Sequence, residues 1–296
     1  MTNVRSLTSS FIQRAMTIDQ RWRTGTELSA IGPRRTVFIL STGRTGTQFL
    51  AELLNRQKDV HAVHEPPPSR RLRLWTMAYL QGEASESTMA DVLRRYRSAY
   101  LSSIQEQTYV ESNNFLVGFA NAIKQQFVDP VLIHIVRDPR TYIRSSLNHG
   151  GDSGLKGWAN RHFPYWHLPR SSIQDALDGN ADHEVLVRTA LFWKVINEYL
   201  DGAGEGYPRY HRFRFEDVFG DDTTEIETIF RLAGVKEYSS EDLRAREKKM
   251  NESQLQVMGK WQSWSDEQAR AVDRICGPLM VKYRYGDEDA WLAKTS

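Results

Sequence analysis

A short apolar run, Val37-Phe-Ile-Leu40, breaks off into Ser41-Thr-Gly-Arg-Thr-Gly-Thr47. A stretch with apolar residues at helical spacing (Phe49, Leu50, Leu53, Leu54) follows at once. That order reads as a buried strand, a tight turn and a helix. Such a turn aims unpaired backbone N–H groups and the positive end of the helix at one point, which suits an anion, usually a phosphate. Arg44 adds a permanent charge and a bidentate fork inside the turn. The G-x-x-x-x-G-K-[ST] spacing of nucleoside-triphosphate loops is missing, so the arginine points to a different donor.

The rest of the chain repeats the alternation of strand and helix. Residues 1–33 read as an N-terminal helical arm closed by Gly32-Pro33, and 34–296 as a single α/β domain. Short strands are expected at Val60-His-Ala-Val63, Tyr109-Val-Glu-Ser112, Val131-Leu-Ile-His-Ile-Val136 and Tyr210–Phe215. Helices are expected at 86–106, Tyr142–Asn148, 183–200 and 223–233, and after the capping box Ser265-Asp-Glu-Gln268. Val131–Val136 is almost wholly apolar, as a strand is when helices cover both faces of a parallel sheet. The fold class is therefore α/β: a three-layer, P-loop-like domain with a mostly parallel sheet of about five strands flanked by helices. Residues 149–170, rich in Gly, Trp, His and Pro, read as a long functional loop.

Composition removes several classes. A formal net charge of +2 over 296 residues argues against a general nucleic-acid binder and leaves room for a local basic pocket. One cysteine, Cys276, excludes an internal disulfide and a cysteine-rich zinc site, and fits a reducing compartment. No apolar run approaches the ~18 residues that cross a bilayer, and Met1–Thr26 lacks an apolar signal core. The expectation is a cytoplasmic protein.

In doubly wound sheets ligands sit beyond the carboxyl ends of the strands. Four polar clusters fall there: Ser41–Thr47, His64-Glu65, Arg137–Ser146 and Arg214-Phe-Glu-Asp217. Two of them are basic anion sites that follow buried strands directly. The first offers backbone amides with Arg44, Thr45 and Thr47, and the second offers Arg137 with Ser145. A ligand with two separate phosphate groups satisfies both.

These residues resemble a known family. Ser-Thr-Gly-Arg-Thr-Gly-Thr-Gln-Phe-Leu is similar to the 5′-phosphosulfate loop of sulfotransferases that use 3′-phosphoadenosine 5′-phosphosulfate (PAPS). Val136-Arg-Asp-Pro-Arg-Thr-Tyr-Ile-Arg-Ser-Ser146 resembles their 3′-phosphate motif, whose Arg and Ser fall on Arg137 and Ser145. Arg214-Phe-Glu-Asp-Val218 and the stretch Trp261–Gly286 continue the likeness in order, over roughly residues 35–286. Arginine at position 44 resembles the carbohydrate and protein-tyrosine branch, with its Golgi-type and bacterial members, more than the cytosolic one.

The resemblance implies PAPS as sulfate donor, held by Gly43, Arg44, Thr45, Gly46, Thr47, Gln48, Arg137 and Ser145. It implies a hydroxyl-bearing carbohydrate, glycolipid or small alcohol as acceptor, with Glu65 as the base that deprotonates it. Sulfuryl transfer requires in-line positioning and neutralisation of the bridging oxygen, which Arg44 and the loop amides supply; no metal is expected.

Other readings stay open at several residues. His64 reads as a turn or core histidine with the base role as its alternative, His61 flanks it, and His149 is an alternative lining of the acceptor pocket. Arg140 and Arg144 read as solvated or paired surface charges, and Arg214 with Glu216-Asp217 as braces for the loops. Asn113 and Asn114 are placed to hydrogen-bond a sugar hydroxyl. Trp158, Phe163, Tyr165, Trp166 and His167 form either a lid or an anchor. A P-loop nucleotide kinase and a non-catalytic adenosine-bisphosphate-binding protein remain the competing functions.

Overall fold

In the computed structural model of the protein, β1 (Arg35–Ser41), β2 (Val60–His64), β3 (Thr108–Ser112), β4 (Val131–Val136) and β5 (Tyr210–Arg214) form one sheet. Its order is β2-β3-β1-β4-β5 and every pairing is parallel. The structure describes residues 28, 32–149, 168, 170–177, 183–239 and 257–296. The expected arm at 1–33 and the aromatic loop at 149–170 lie almost wholly outside the described residues, Trp158, Phe163, Tyr165, Trp166 and His167 included.

Alternation along β1 divides the core. Val37 and Ile39 point to one face, where α1 (Thr47–Leu54) and α9 (Thr224–Leu232) bury Leu50, Leu53, Ile226 and Phe230 against them. Phe38 and Leu40 point to the other. There α3 (Glu86–Leu101), a 3₁₀ turn (Asn114–Phe119), α4 (Ala120–Gln126) and α7 (Glu184–Gly204) contribute Leu93, Leu116, Ile123 and Ile196. This is the expected three-layer α/β class, with a sheet that is parallel throughout. A further cluster joins α5 (Pro139–Asn148), α6 (Arg170–Leu177), α7, α10 (Asp266–Lys282) and α11 (Asp289–Thr295) around Trp193, Trp264, Val272 and Trp291. Among the described residues no helix is long and apolar enough to cross a membrane.

The capping box at Ser265 is present, its side chain accepting from the Gln268 N–H. α3 stops at Leu101, short of the expected 106, and α5 starts at Pro139 because the Asp138 side chain caps it by accepting from the Arg140 N–H. Five helices, α2 (Ser69–Leu80), α4, α6, α8 (Phe215–Val218) and α11, were not expected.

The sheet order reverses at β1. The chain crosses outward to β2, returns through β3 and continues beyond β1 to β4, so the crevice lies where β1 and β4 end side by side.

Below that crevice the end of β3 is held by buried charge. Arg97 on α3 donates to Glu111 twice (2.7 and 2.5 Å), Tyr109 and Asn113 donate to the same carboxylate, and both charged side chains are fully buried. Removing one partner strands the other charge in the core. Glu111→Gln is expected to lower unfolding free energy by about 3 kcal/mol, read from urea denaturation. A loss near zero would mean that water reaches Arg97.

Candidate active site

The turn after β1 has three residues in the left-handed region within four positions: Gly43 (φ 81°), Arg44 (φ 58°) and Gly46 (φ 67°). Two glycines adopt this without strain, whereas Arg44 adopts it at a cost of about 1 kcal/mol. Ser41 braces the turn from inside, its Oγ accepting from the Gly43 N–H (3.0 Å) and from the Thr45 hydroxyl (2.7 Å). A Cβ at Gly43 would come within 2.8 Å of Asn114 Nδ2 and would sit on a positive φ, so a larger residue there would be strained and would displace the Asn114 amide. Gly46 opens α1 without a side-chain cap or an acidic residue in the first turn, which leaves the positive helix end open to an anion.

The second basic group meets the first. Arg137 leaves β4 and donates through Nη1 to the Arg44 carbonyl (2.5 Å) and through Nε to Thr141 Oγ1 (3.1 Å). Its guanidinium stacks 4.3 Å from the centre of the Phe215 ring, and Trp193 Nε1 donates to its carbonyl (2.8 Å). Arg44 Nε in turn donates to Ser145 Oγ on α5 (3.2 Å). Burial pushes both guanidinium pKa values down. Glu216 opposes this at Arg137, while Arg44 adds to it by like-charge repulsion. Two arginines thus stand partly desolvated in each other's field, a position that a bound anion relieves.

Across the sheet, Glu65 follows β2 with φ 45° and donates its N–H to the Ser112 carbonyl (2.9 Å). Burial pushes its carboxyl pKa up, and Arg73 on α2 partly offsets that. His64 Nδ1 pairs with Ser112 Oγ (3.2 Å), whose own proton goes to the Thr47 carbonyl (2.9 Å). The imidazole therefore carries its hydrogen on Nδ1 and turns a lone pair at Nε2 toward Glu65 Oε1, 3.7 Å away. Burial also lowers the His64 pKa, which favours that neutral form.

Residues 34–283 match the profile of the sulfotransferase domain family. The chain belongs to that family. No curated protein matches the sequence. The sulfotransferase is similar to a solved sulfotransferase from Alicyclobacillus acidocaldarius, at 14% identity over 88% of this chain and 98% of that one, with a TM-score of 0.49. It is similar to mouse SULT7A1 complexed with PAP at 15% identity over 90% and 91%, with a TM-score of 0.48. A third similar structure is STF1 from Mycobacterium tuberculosis, at 14% identity over 84% and 78%, also with a TM-score of 0.48.

Within the sulfotransferase, the residues expected at the site occupy two groups. Gly43, Arg44, Thr45, Gly46 and Thr47 form the turn that Arg137 and Ser145 close, with Glu65 two strands away. Gln48 turns its side chain along α1 to Glu52 (2.9 Å), so the backbone is what it offers the turn. His61 leaves the site, pairing with Tyr100 of α3 (2.9 Å) and stacking on Tyr109. His149 is exposed at the end of α5. Asn113 is committed: its Oδ1 accepts from the Phe115 N–H and its Nδ2 donates to Glu111 (2.8 Å).

Arg140 corrects the expectation of a surface charge. It is 1% exposed, pairs with Asp138 (2.7 Å) and Glu288 (2.6 Å), and its guanidinium lies 4.7 and 5.0 Å from the Trp261 and Trp291 ring centres. It ties the C-terminal segment to the residue that caps α5. Arg214 does brace a loop, as expected, stacking on Tyr285, whose hydroxyl donates to Glu216 (2.6 Å). Glu216 also accepts from the Asp138 N–H (3.2 Å).

Sequence reasoning missed Arg73, whose charge acts on Glu65 and whose guanidinium sits 5.9 Å from the Phe115 ring centre. The charged-apolar alternation of Arg71-Leu-Arg-Leu74 hid a helix. The signal was the spacing of Leu72, Trp75, Thr76 and Tyr79, which is helical.

Proposed function

We propose that this sulfotransferase takes its sulfuryl group from PAPS and passes it to a hydroxyl of a carbohydrate, glycolipid or small alcohol. The observation that carries the proposal is the meeting of Arg137 with the Arg44 carbonyl, while the Arg44 side chain reaches Ser145. The turn amides and Arg44 suit the 5′-phosphosulfate, and Arg137 with Ser145 suits the 3′-phosphate. The bond from the acceptor oxygen to sulfur forms as the bond from sulfur to the 5′-phosphate oxygen breaks. The hydroxyl proton goes to Glu65, and adenosine 3′,5′-bisphosphate leaves. Arg44 meets the charge that builds on the bridging oxygen. Residues 34–296 are taken as one catalytic domain, and the buried free thiol of Cys276 suits a cytoplasmic setting.

Saturating adenosine 3′,5′-bisphosphate is expected to raise the thermal midpoint by about 5 °C or more, as about 2.7 kcal/mol of binding linkage at a hundredfold excess over Kd requires. Differential scanning fluorimetry reads this directly. No shift with that nucleotide, together with a shift from magnesium ATP, would replace the proposal with a nucleotide kinase. A shift without sulfate transfer to any of a broad panel of hydroxyl compounds would leave a non-catalytic binder.

A further inference from the structure

We propose that Asn114 reads the acceptor, and that the acceptor carries a second hydrogen-bond donor, a hydroxyl or amine on the carbon beside the reacting hydroxyl. The inference rests on the donor and base assigned above and narrows the acceptor class.

β3 lies between β1 and β2, so its carboxyl end stands between the donor turn and Glu65. Both neighbours are tied to it: the Glu65 N–H donates to the Ser112 carbonyl (2.9 Å) and the Asn113 N–H to the Ile39 carbonyl (3.0 Å). Asn114 is the first residue beyond these ties, and its amide nitrogen lies over Gly43. The attacking hydroxyl must pass through this same gap to reach both the sulfur and Glu65.

The other amide atom, Oδ1, is buried and has no hydrogen-bond partner among the described residues. Folded proteins seldom leave a buried amide oxygen unmatched, because the lost hydration is not returned. The phosphosulfate that the turn holds beside Asn114 cannot match it, since sulfate and phosphate oxygens only accept. An ionised Glu65 only accepts as well, and the reacting hydroxyl has one proton, which Glu65 takes. The group we assign to it is another O–H or N–H of the acceptor molecule, held within reach of the attacking oxygen. A lone alcohol or phenol leaves Oδ1 unmatched; a vicinal diol or amino alcohol does not.

The test compares vicinal cyclohexanediol with cyclohexanol as acceptor probes, with PAPS as donor. The wild-type protein is expected to favour the diol in kcat/KM by about tenfold or more. Asn114→Ala should remove that preference by losing rate on the diol alone. Asn114→Asp, which keeps an oxygen at the position, should slow both probes and retain the preference. If turnover is too slow to measure, saturation-transfer NMR on protein loaded with adenosine 3′,5′-bisphosphate reads the same preference as binding.

Equal losses on both probes in Asn114→Ala would overturn the proposal, because the amide would then face the sulfuryl oxygens. A wild-type protein indifferent to the second hydroxyl would overturn it too. Failure of the nucleotide to stabilise the wild-type protein would sink the donor assignment itself. Intact stabilisation with an unmoved preference sinks only the role of Asn114.

Discussion

Arg44→Ala is expected to lower kcat by about 10²–10³-fold while the thermal midpoint stays within a degree or two of wild type. Arg44 is held in the left-handed region, and among the described residues its side chain donates one hydrogen bond, to a hydroxyl of another element, so little of the fold depends on it. In the proposed reaction its charge stands where negative charge develops as the sulfuryl group departs. Arg44→Gly separates the two contributions further. It removes the same charge but relieves the positive-φ strain, so it is expected to be more stable than wild type by about 1 kcal/mol and equally inactive. Arg44→Lys keeps a charge without the planar fork and should fall between. Steady-state kinetics at saturating donor, with thermal melts on the same preparations, check all three. If Arg44→Ala kept kcat within threefold of wild type, the leaving oxygen would be stabilised elsewhere.

The turn holding Arg44 was legible because its signals are local. A β-branched run, two glycines and an amphipathic stretch each act over a few residues, and together they allow one arrangement. The same holds for β4, which had to be buried on both faces, and for the Ser265 capping box. What escaped reading depends on distant partners. Arg140 looks like any exposed helix charge until Glu288, far along the chain, and two tryptophans enclose it. Arg73 has a role only because α2 folds back over the 3₁₀ turn, where the Thr76 hydroxyl donates to the Phe115 carbonyl and the backbone passes close to Gly118. Adjacent asparagines with the same side chain also diverged: Asn113 is absorbed by Glu111 and a turn, while the Asn114 amide lies against Gly43 with its Oδ1 buried and unpartnered among the described residues. Residue type and position along the strand do not separate such a pair; the register against β1 and β2 does.

Glu65→Gln is expected to lower kcat by about 10²–10⁴-fold and to abolish the acidic limb of the pH profile. As the proposed base Glu65 must be ionised, and burial raises its pKa above the ordinary 4.5. Wild-type kcat should therefore rise with pH through a value above that of a free glutamate. Arg73→Met should move the limb higher, since Arg73 lowers the Glu65 pKa. The stability sign runs the other way. A raised folded pKa means that the folded state holds this proton more tightly than the unfolded chain does. The stability contributed by Glu65 is then fully present below its unfolded pKa and is lost as pH rises through the folded value. Glutamine never ionises, so at neutral pH Glu65→Gln should be at least as stable as wild type while nearly inactive. Gain in stability with loss of turnover marks a carboxylate kept buried for its chemistry. His64→Gln completes the comparison, because the Nε2 lone pair facing Glu65 can accept a proton passed on from it. A modest loss in His64→Gln beside the large loss in Glu65→Gln fits a relay through the histidine. The reverse order would make His64 the base and Glu65 the group that orients it.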